Sequence, residues 1–322
     1  MTQDGGPTMA TKPDSHPPSS VFHLRPLLIA GPTAVGKSEI ALGLAEQLGG
    51  EIISADSMQV YRGLDIGTAK PSAADRARVP HHLIDILDLT ESFDAAQFTR
   101  LAHRAVAEIQ SRGHVPILCG GTGLYFQAFL EGLGEAPAAD PKLRAELEAA
   151  PLEQLLAELR EHDPVTFEKI DKKNPRRIVR AVEVIRLTGK PFSEVRSQKS
   201  EVRSQNSKFF CLTRATDDLR RRIDARADAM FARGLVVEVR ELLKRGLEQN
   251  KTAMQAIGYR QVVEHLRGER SLAETIGLVK IRTRQFAKRQ LTWFRAQKNI
   301  KWIELKPDES VEETVQKTCK SI

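Results

Sequence analysis

The chain has 322 residues, 41% of them hydrophobic, which is enough for an α/β core and a second domain. No apolar run approaches membrane-spanning length, and the cysteines have no spacing typical of a zinc site or a disulfide scaffold. We therefore expect a cytoplasmic protein that is not bound to a membrane. The formal net charge of +7 favours an anionic partner.

The first predicted strand, Leu27–Ala30, leads into a glycine-rich loop that fits the pattern G-x-x-x-x-G-K-[ST]. The loop consists of Gly31, Pro32, Thr33, Ala34, Val35, Gly36, Lys37 and Ser38, and residues 39–48 then have helical apolar spacing. Between a strand and a helix, such a loop binds phosphate through backbone N–H groups and the helix N-terminus. Lys37 supplies a charge for a terminal phosphate, and Ser38 is suited to hold Mg²⁺. The sequence therefore predicts a polyphosphate site and leaves any role of ATP open.

Strands and helices alternate from Pro26 to about residue 131. Further strands are predicted at 51–56, 82–86 and 115–119, and a helix at 93–112. This alternation predicts an α/β fold, a P-loop NTPase-like parallel sheet flanked by helices. Ligands of such sheets bind beyond the carboxyl ends of the strands, where Asp56, Thr122 and the glycine loop fall.

Residues 138–208 are predicted to form an all-helical insertion domain. Leucines recur at helical spacing over 143–159, and a helix that starts at Asn174-Pro175 ends at Gly189. The sequence of 193–199 is then repeated almost unchanged at 200–206, which we interpret as a small duplication in an exposed connector. The remaining domains are predicted as a disordered tail at 1–23, a core formed by 24–137 and 209–306, and a C-terminal tail at 307–322.

The acid best placed for chemistry is Asp56. An ordinary P-loop NTPase needs a second-strand acid for Mg²⁺, but strand 115–119 ends in Gly-Gly-Thr. Asp85 lies inside a predicted strand and is open to a structural role. Asp56 follows small residues and precedes polar ones, so it either caps a turn or serves as a general base or metal ligand.

Basic residues are concentrated near the C-terminus. Residues 276–303 contain eight Lys or Arg, no acid, and the aromatic pair Trp293 and Phe294. Cations interleaved with aromatic rings are typical of a nucleic-acid surface, and the alternative is a solvated helix whose rings pack into the core. The absence of acids and the second cluster at 176–180 favour nucleic acid. A third cluster at 220–222 is placed to aim one arginine at a diphosphate.

The tripeptide Gly258-Tyr259-Arg260 allows two interpretations. A turn, a ring and a cation together are suited to single-stranded RNA. The alternative is a helix-start turn with the tyrosine packed inward.

The motifs over about 26–305, taken as an ordered set, resemble those of bacterial tRNA dimethylallyltransferases. Only the N-terminal tail and the 193–206 duplication depart from the pattern. The motifs are Gly-Pro-Thr-Ala-Val-Gly-Lys-Ser at 31–38, Ser-Ala-Asp-Ser-Met-Gln-Val-Tyr at 54–61, Asp-Ile-Gly-Thr-Ala-Lys-Pro at 65–71, Gly-Gly-Thr-Gly-Leu-Tyr at 120–125, Gly-Tyr-Arg at 258–260 and Lys-Arg-Gln-Leu-Thr-Trp-Phe-Arg at 288–295.

The resemblance implies transfer of a dimethylallyl group from dimethylallyl diphosphate to N6 of adenosine 37, in tRNAs that read codons beginning with U. The polyphosphate is then a leaving diphosphate held by the loop and by Mg²⁺ at Ser38. The resemblance further implies that Asp56 is the general base and that Thr33 and Arg222 hold the diphosphate. Residues implied to contact the flipped adenine and its neighbours are Asp56, Ser57, Met58, Gln59 and Thr122. Residues implied to contact the anticodon stem-loop are Arg176, Arg177, Ile178, Val179, Arg180, Gln255, Gly258, Tyr259, Arg260, Lys288, Arg289, Trp293 and Arg295.

Three other classes of protein are compatible with single features of the sequence. An adenylate prenyltransferase would not need the basic stretch or the helical insertion. A P-loop NTPase or small-molecule kinase is disfavoured by the missing acid after strand 115–119. A non-catalytic RNA-binding module would have no use for a phosphate loop together with Asp56. We therefore expect a monomeric enzyme that prenylates tRNA.

Overall fold

The computed structural model describes residues 25–134, 136–197 and 207–322. At its centre is a parallel sheet of six strands in the order β3-β2-β4-β1-β5-β6. The strands are β1 (Leu27–Ala30), β2 (Gly50–Ala55), β3 (His81–His82), β4 (Val115–Gly120), β5 (Lys208–Thr213) and β6 (Lys301–Glu304). Because β1 is central, the loop that follows it opens at the middle of the sheet edge.

Helices cover both faces of the sheet, so the predicted fold class is confirmed. The helices are α1 (Lys37–Leu48), α2 (Ala73–Arg78), α3 (Ala95–Ser111), α4 (Gly123–Glu131), α5 (Pro141–Ala149), α6 (Leu152–His162), α7 (Pro164–Lys169), α8 (Pro175–Thr188), α9 (Phe192–Ser197), α10 (Thr216–Ala232), α11 (Leu235–Lys244), α12 (Tyr259–Leu266), α13 (Leu272–Arg295) and α14 (Val311–Cys319). Side chains of β1 alternate between two apolar clusters. Leu28 packs in the cluster that α3, α4, α11 and α12 share, and Ile29 in the cluster of α1, α10 and α14.

Helices α5 to α9 pack around a separate apolar cluster that includes Leu155, Leu159 and Val182. Two polar contacts connect these helices to the sheet domain. Arg176 donates to Gln255, and Lys251 forms an ion pair with Glu148 at 2.5 Å. The start of α8 therefore lies against the segment that precedes α12.

The structure differs from the sequence prediction at 82–86. Strand β3 ends at His82, because Leu83 and Asp85 adopt positive φ angles of 61° and 55° that interrupt an extended strand. The Asp85 carboxylate accepts from Lys70 at 2.5 Å and from Arg76 at 2.7 Å. Asp85 therefore has the structural role that the sequence left open.

The C-terminal segment is also more ordered than the predicted tail at 307–322. Ser310 caps α14, and Val315 is buried against α1, where a Cβ on Gly43 would lie 2.8 Å from it. The sequence did not predict this helix because its apolar stripe is short. The surface of α1 that it packs against forms only when the chain folds. The predicted tail at 1–23 and residues 198–206 of the duplication lie outside the described residues; the first copy begins within α9.

Within the described ranges, no helix is both long and apolar enough to cross a lipid bilayer.

A buried carboxylate lies near the N-terminal end of β2, at the opposite end of the strand from Asp56. Glu51 accepts hydrogen bonds from Arg112 at 2.7 Å, His82 at 2.6 Å and His114 at 2.7 Å. Burial raises the pKa of Glu51, but these hydrogen bonds outweigh it and lower the pKa to about 2. The ionised carboxylate therefore stabilises the fold fully above about pH 4.5, and this stabilisation is lost as the unfolded chain begins to bind a proton at lower pH.

We expect Glu51→Gln to lower the free energy of unfolding at pH 7 by about 3 kcal/mol, because it removes the charge from a buried ion pair. The pKa of Glu51 is below its usual value, so its contribution is full above about pH 4.5 and is lost as the pH falls toward 2. The difference between wild type and variant should shrink accordingly in urea titrations at pH 7, 4 and 3. Glu46→Gln is the control, since the Glu46–Arg78 pair is exposed and its loss should change the free energy by less than about 1 kcal/mol. A difference that stays constant down to pH 3 would contradict the low pKa.

Candidate active site

The phosphate loop joins the central strand β1 to α1. Gly31 has φ 151°, and a Cβ there would lie 2.7 Å from the backbone oxygen of Leu212. Gly36 has φ 107° and directly precedes the first residue of α1. Both positions therefore require glycine, and the loop can curve so that the helix N-terminus faces an anion.

A pocket opens beside this loop at the carboxyl edge of the sheet. Its polar lining comes from several segments of the chain and includes Thr33, Lys37, Ser38, Asp56, Gln59, Arg226 and Gln290. The loop and α1 supply the first three, the end of β2 supplies two, and α10 and α13 supply one each. The structure thus brings the predicted phosphate site and the predicted base into one pocket.

Both interpretations of Asp56 are compatible with its position. One carboxylate oxygen accepts the N–H of Met58 at 2.8 Å, which caps the turn after β2, and the side chain also lines the pocket. Ser54 donates to the Oε1 atom of Gln59 at 2.8 Å, so the Gln59 amide is oriented beside Asp56. Ser57 and Met58 are partly exposed next to it, and Thr122 is partly exposed as the first residue before α4. Contacts of these side chains with an adenine remain predictions.

Lys37 is the main cation of the pocket. Its Nζ donates to the carbonyl oxygen of Pro32 at 2.7 Å, so the side chain folds back over the loop. Burial lowers the pKa of Lys37 to about 8. A bound anion compensates for this burial, because it stabilises the charged ammonium form.

Two arginines of α10 lie at the site, and sequence reasoning identified only one of them. Arg222 donates to the carbonyl oxygen of Ala34 at 2.9 Å and lies on the loop. Arg226, one helical turn later, lines the pocket and donates to the Thr68 carbonyl oxygen at 3.4 Å. Burial lowers the pKa of Arg226. The spacing of four residues, which places both side chains on one helix face, was the available signal.

Gln290 is a second residue that sequence reasoning passed over, although it lies within the 288–295 motif. Its Oε1 atom accepts the N–H of Thr33 at 2.9 Å, and its Nε2 atom donates to the Gly121 carbonyl oxygen at 2.9 Å. The sequence offered no signal for this bridge, because its two partners are backbone atoms distant in the chain.

Helix α13 has a basic face, and neighbouring carboxylates pair with only some of its cations. Lys280 contacts Asp228 at 2.7 Å, and Arg284 pairs with Asp224, so part of the basic stretch is structural. Lys288, Arg289 and Arg295 are exposed. Phe294 is fully buried, and Trp293 packs where a Cβ on Gly123 would lie 2.3 Å from its ring. The alternative that the rings pack inward is therefore correct for Phe294.

The structure corrects the predicted RNA contacts of the insertion domain. Ile178 and Val179 are buried in its core, which excludes their side chains from an RNA surface. Arg180 donates to the buried carboxylate of Glu183 at 2.6 Å and to the Pro137 carbonyl oxygen at 2.7 Å. Its charge therefore compensates Glu183. Arg176 and Arg177 are exposed at the start of α8, and their contacts remain predictions together with that of Gln255.

Tyr259 matches the second interpretation of its motif, a turn at a helix start with the tyrosine packed inward. The residue is fully buried, and its hydroxyl donates to Glu238 at 2.6 Å. Burial raises the pKa of this phenol. Its ring packs against the 65–71 segment, where a Cβ on Gly67 would lie 2.4 Å from it. Gly258 is also buried, whereas Arg260 is exposed.

The family model described as IPP transferase matches residues 59–297. A tRNA dimethylallyltransferase of Trichlorobacter lovleyi is 50% identical over 284 residues, which cover 87% of this chain and 93% of the relative. The chain belongs to the IPP transferase family. It is therefore a prenyltransferase enzyme, and the NTPase, kinase and non-catalytic alternatives are excluded.

Solved structures agree with this assignment. A tRNA isopentenylpyrophosphate transferase of Bacillus halodurans is 41% identical with a TM-score of 0.69, and the match covers 92% of this chain and 95% of that one. A eukaryotic dimethylallyltransferase acting on tRNA is 28% identical with a TM-score of 0.79, covering 92% of this chain and 78% of that one. The P-loop sheet described above is thus the fold of this IPP transferase.

We expect the affinity for inorganic diphosphate to depend on the protonation of Lys37. Because its pKa is lowered to about 8, the ammonium is charged at pH 7 and mostly neutral at pH 9 in the free enzyme. The ratio of wild-type to Lys37→Met affinity should therefore fall by about tenfold between pH 7 and pH 9, and titration of the ligand itself cancels in this ratio. Isothermal titration calorimetry measures it, with Lys142→Met on the exposed face of α5 as the control. A ratio independent of pH would contradict the lowered pKa.

Proposed function

We propose that this IPP transferase transfers the dimethylallyl group of dimethylallyl diphosphate to N6 of adenosine 37, in tRNAs that read codons beginning with U. The products are N6-(dimethylallyl)adenosine and diphosphate. The observation that carries the proposal is that a phosphate loop and the carboxylate of Asp56 line the same pocket. The names of the relatives, which specify tRNA as the molecule acted on, support the same substrate.

The loop stabilises the leaving group. Cleavage of the allylic C–O bond leaves negative charge on diphosphate and positive charge on the allylic carbons. Lys37, the start of α1 and the guanidinium groups of Arg222 and Arg226 surround the side of the pocket where the diphosphate departs. Such fixed donors favour the transition state because their orientation requires no rearrangement as the charge develops. The Thr33 hydroxyl, which lines the same pocket, would hold the bridging oxygen.

The site fits Mg²⁺ in the way this ion usually binds phosphates. Mg²⁺ commonly takes one or two protein oxygens and completes its coordination with phosphate and water. Ser38 is exposed beside the pocket, and across the described segments no three His, Cys, Asp or Glu residues gather into a metal-binding group. This donor set suits a metal that arrives with the diphosphate, and Ser38 would hold it. When bound, the ion would neutralise charge on the leaving diphosphate.

Asp56 acts on the acceptor. The N6 amine is a weak nucleophile because its lone pair is delocalised into the adenine ring. As N6 forms its bond to the allylic carbon, the C–O bond breaks and the amine proton passes to the Asp56 carboxylate. A positioned base of this kind accelerates transfer by about 10²–10⁴-fold. Ser57, Met58, Gln59 and Thr122 would contact the adenine, which must leave its stack to enter the pocket.

The surface around the pocket supports an RNA substrate. Cations are exposed at the start of α8 (Arg176 and Arg177), on α12 (Arg260) and on α13 (Lys288 and Arg289). Cations in this arrangement bind phosphates of a folded RNA, and we propose that they hold the anticodon stem-loop. We further propose that the enzyme acts in the cytoplasm as a monomer.

The direct test is to incubate the enzyme with dimethylallyl diphosphate, Mg²⁺ and unmodified tRNA, and then to analyse the nucleosides by mass spectrometry. We expect N6-(dimethylallyl)adenosine at position 37, and Asp56→Asn should lower the transfer rate by about 10²-fold or more because it removes the base. Binding of tRNA to the variant, measured by filter retention, should be preserved. Weakened tRNA binding with unchanged turnover of bound tRNA would contradict the general-base role.

We expect Lys288→Ala with Arg289→Ala to weaken tRNA binding and to reduce the slope of log affinity against log salt by about 1–2, since two phosphate contacts are lost. The matched control is Lys280→Ala with Arg284→Ala, which removes the same charge from the same helix. These two side chains already pair with Asp228 and Asp224, so the control should leave the slope nearly unchanged. Equal slopes for the two double variants would place the phosphate contacts elsewhere.

A further inference from the structure

We propose that Gln290 is a positioning residue for prenyl transfer: its amide holds the Thr33 backbone of the phosphate loop and connects this loop to the end of β4. The inference rests on the proposed function only for the identity of the prenyl donor. Binding of inorganic diphosphate tests the role of Gln290 separately.

Each end of the Gln290 amide is hydrogen-bonded to a backbone group of a different segment. It accepts the Thr33 N–H and donates to the Gly121 oxygen, both at 2.9 Å, and only 7% of the residue is exposed. Thr33 is the third residue after β1, and Gly121 directly follows β4. A buried amide with both partners in place resists displacement, because losing either partner leaves a polar group unsatisfied.

This bridge assigns the Thr33 N–H a role that differs from phosphate binding. The Thr33 N–H donates to Gln290, so the Thr33 side chain is the group left to contact the diphosphate, and Gln290 holds the Thr33 backbone. The position of the Thr33 hydroxyl therefore depends on α13 as well as on the loop sequence. Since transfer requires donor groups held to within a fraction of an ångström, a loosened Thr33 should weaken binding of the diphosphate.

Helix α13 is packed firmly enough to act as the support. Ala287 and Phe294, three residues before and four residues after Gln290, are both buried against the sheet domain. Residues at these spacings share one helix face, so Gln290 lies between two apolar anchors. The helix backbone that carries Gln290 is consequently fixed relative to the sheet.

Gly121 makes the close approach of this amide possible. A Cβ at Gly121 would lie 2.3 Å from the Nε2 atom of Gln290, and the φ of Gly121 is not in the left-handed region. Alanine at this position would thus displace the flexible end of Gln290 and leave the backbone in place. Two independent substitutions, Gln290→Met and Gly121→Ala, therefore break the same bridge from opposite sides.

The experiment measures, on the full-length chain, the Kd of inorganic diphosphate with Mg²⁺, the KM of dimethylallyl diphosphate and the Kd of tRNA. We expect Gln290→Met and Gly121→Ala each to raise the first two by about tenfold and to change the tRNA Kd less than twofold. Gln285→Met and Gly277→Ala are the matched controls on α13, because Gln285 is exposed and a Cβ on Gly277 meets nothing within 4 Å. Both controls should behave as wild type.

Wild-type diphosphate affinity in a folded Gln290→Met protein would overturn the inference. Equal losses of diphosphate and tRNA binding would also overturn it, since they would indicate a general structural defect. If Gln290→Met does not fold, Gly121→Ala decides by the same criteria. A wild-type enzyme that binds diphosphate but makes no prenylated adenosine would refute the proposed function, and the diphosphate titrations would still test Gln290.

Discussion

Three neighbouring strands that end in register are the constraint on which the rest of this structure depends. Ala30 of β1 and Ala55 of β2 both pair with Gly120 of β4, so these strands end at one level. At Gly120 a Cβ would lie 2.2 Å from the Ala55 oxygen, and only glycine permits this approach. The phosphate loop, Asp56 and Thr122 are the next residues of these strands, and they meet because the strands do.

The convergence of these strands buries cationic side chains in the pocket, and this burial alters their pKa values. Lys37 is taken out of water, which lowers its pKa to about 8, and Arg226 experiences the same effect. Two cations and a helix N-terminus near each other would repel without an anion between them. The free enzyme thus favours a multiply charged anion, as the proposed leaving diphosphate requires.

How far the sequence predicted the site varied with the range of the interactions involved. The phosphate loop, the strand ending in Asp56 and the exposed cations Lys288 and Arg289 are local patterns and were identified. Arg180 and Tyr259 looked like RNA contacts, because a sequence shows a charge or a ring but not its partner. In the folded chain Arg180 compensates the buried Glu183, and the Tyr259 hydroxyl binds Glu238.

The sequence by itself determined that a polyphosphate-binding loop precedes a helix, that the sheet is parallel, and that the stretch 276–303, which contains most of α13, is basic. These features depend on backbone geometry and periodicity, which neighbouring residues dictate. Only the tertiary structure decided that Gln290 holds Thr33, a residue 257 positions away, and that Arg226 lines the pocket while Arg222 contacts the loop. Such contacts join backbone atoms and side chains from distant segments, and the packing of α10 and α13 against the sheet brings them together.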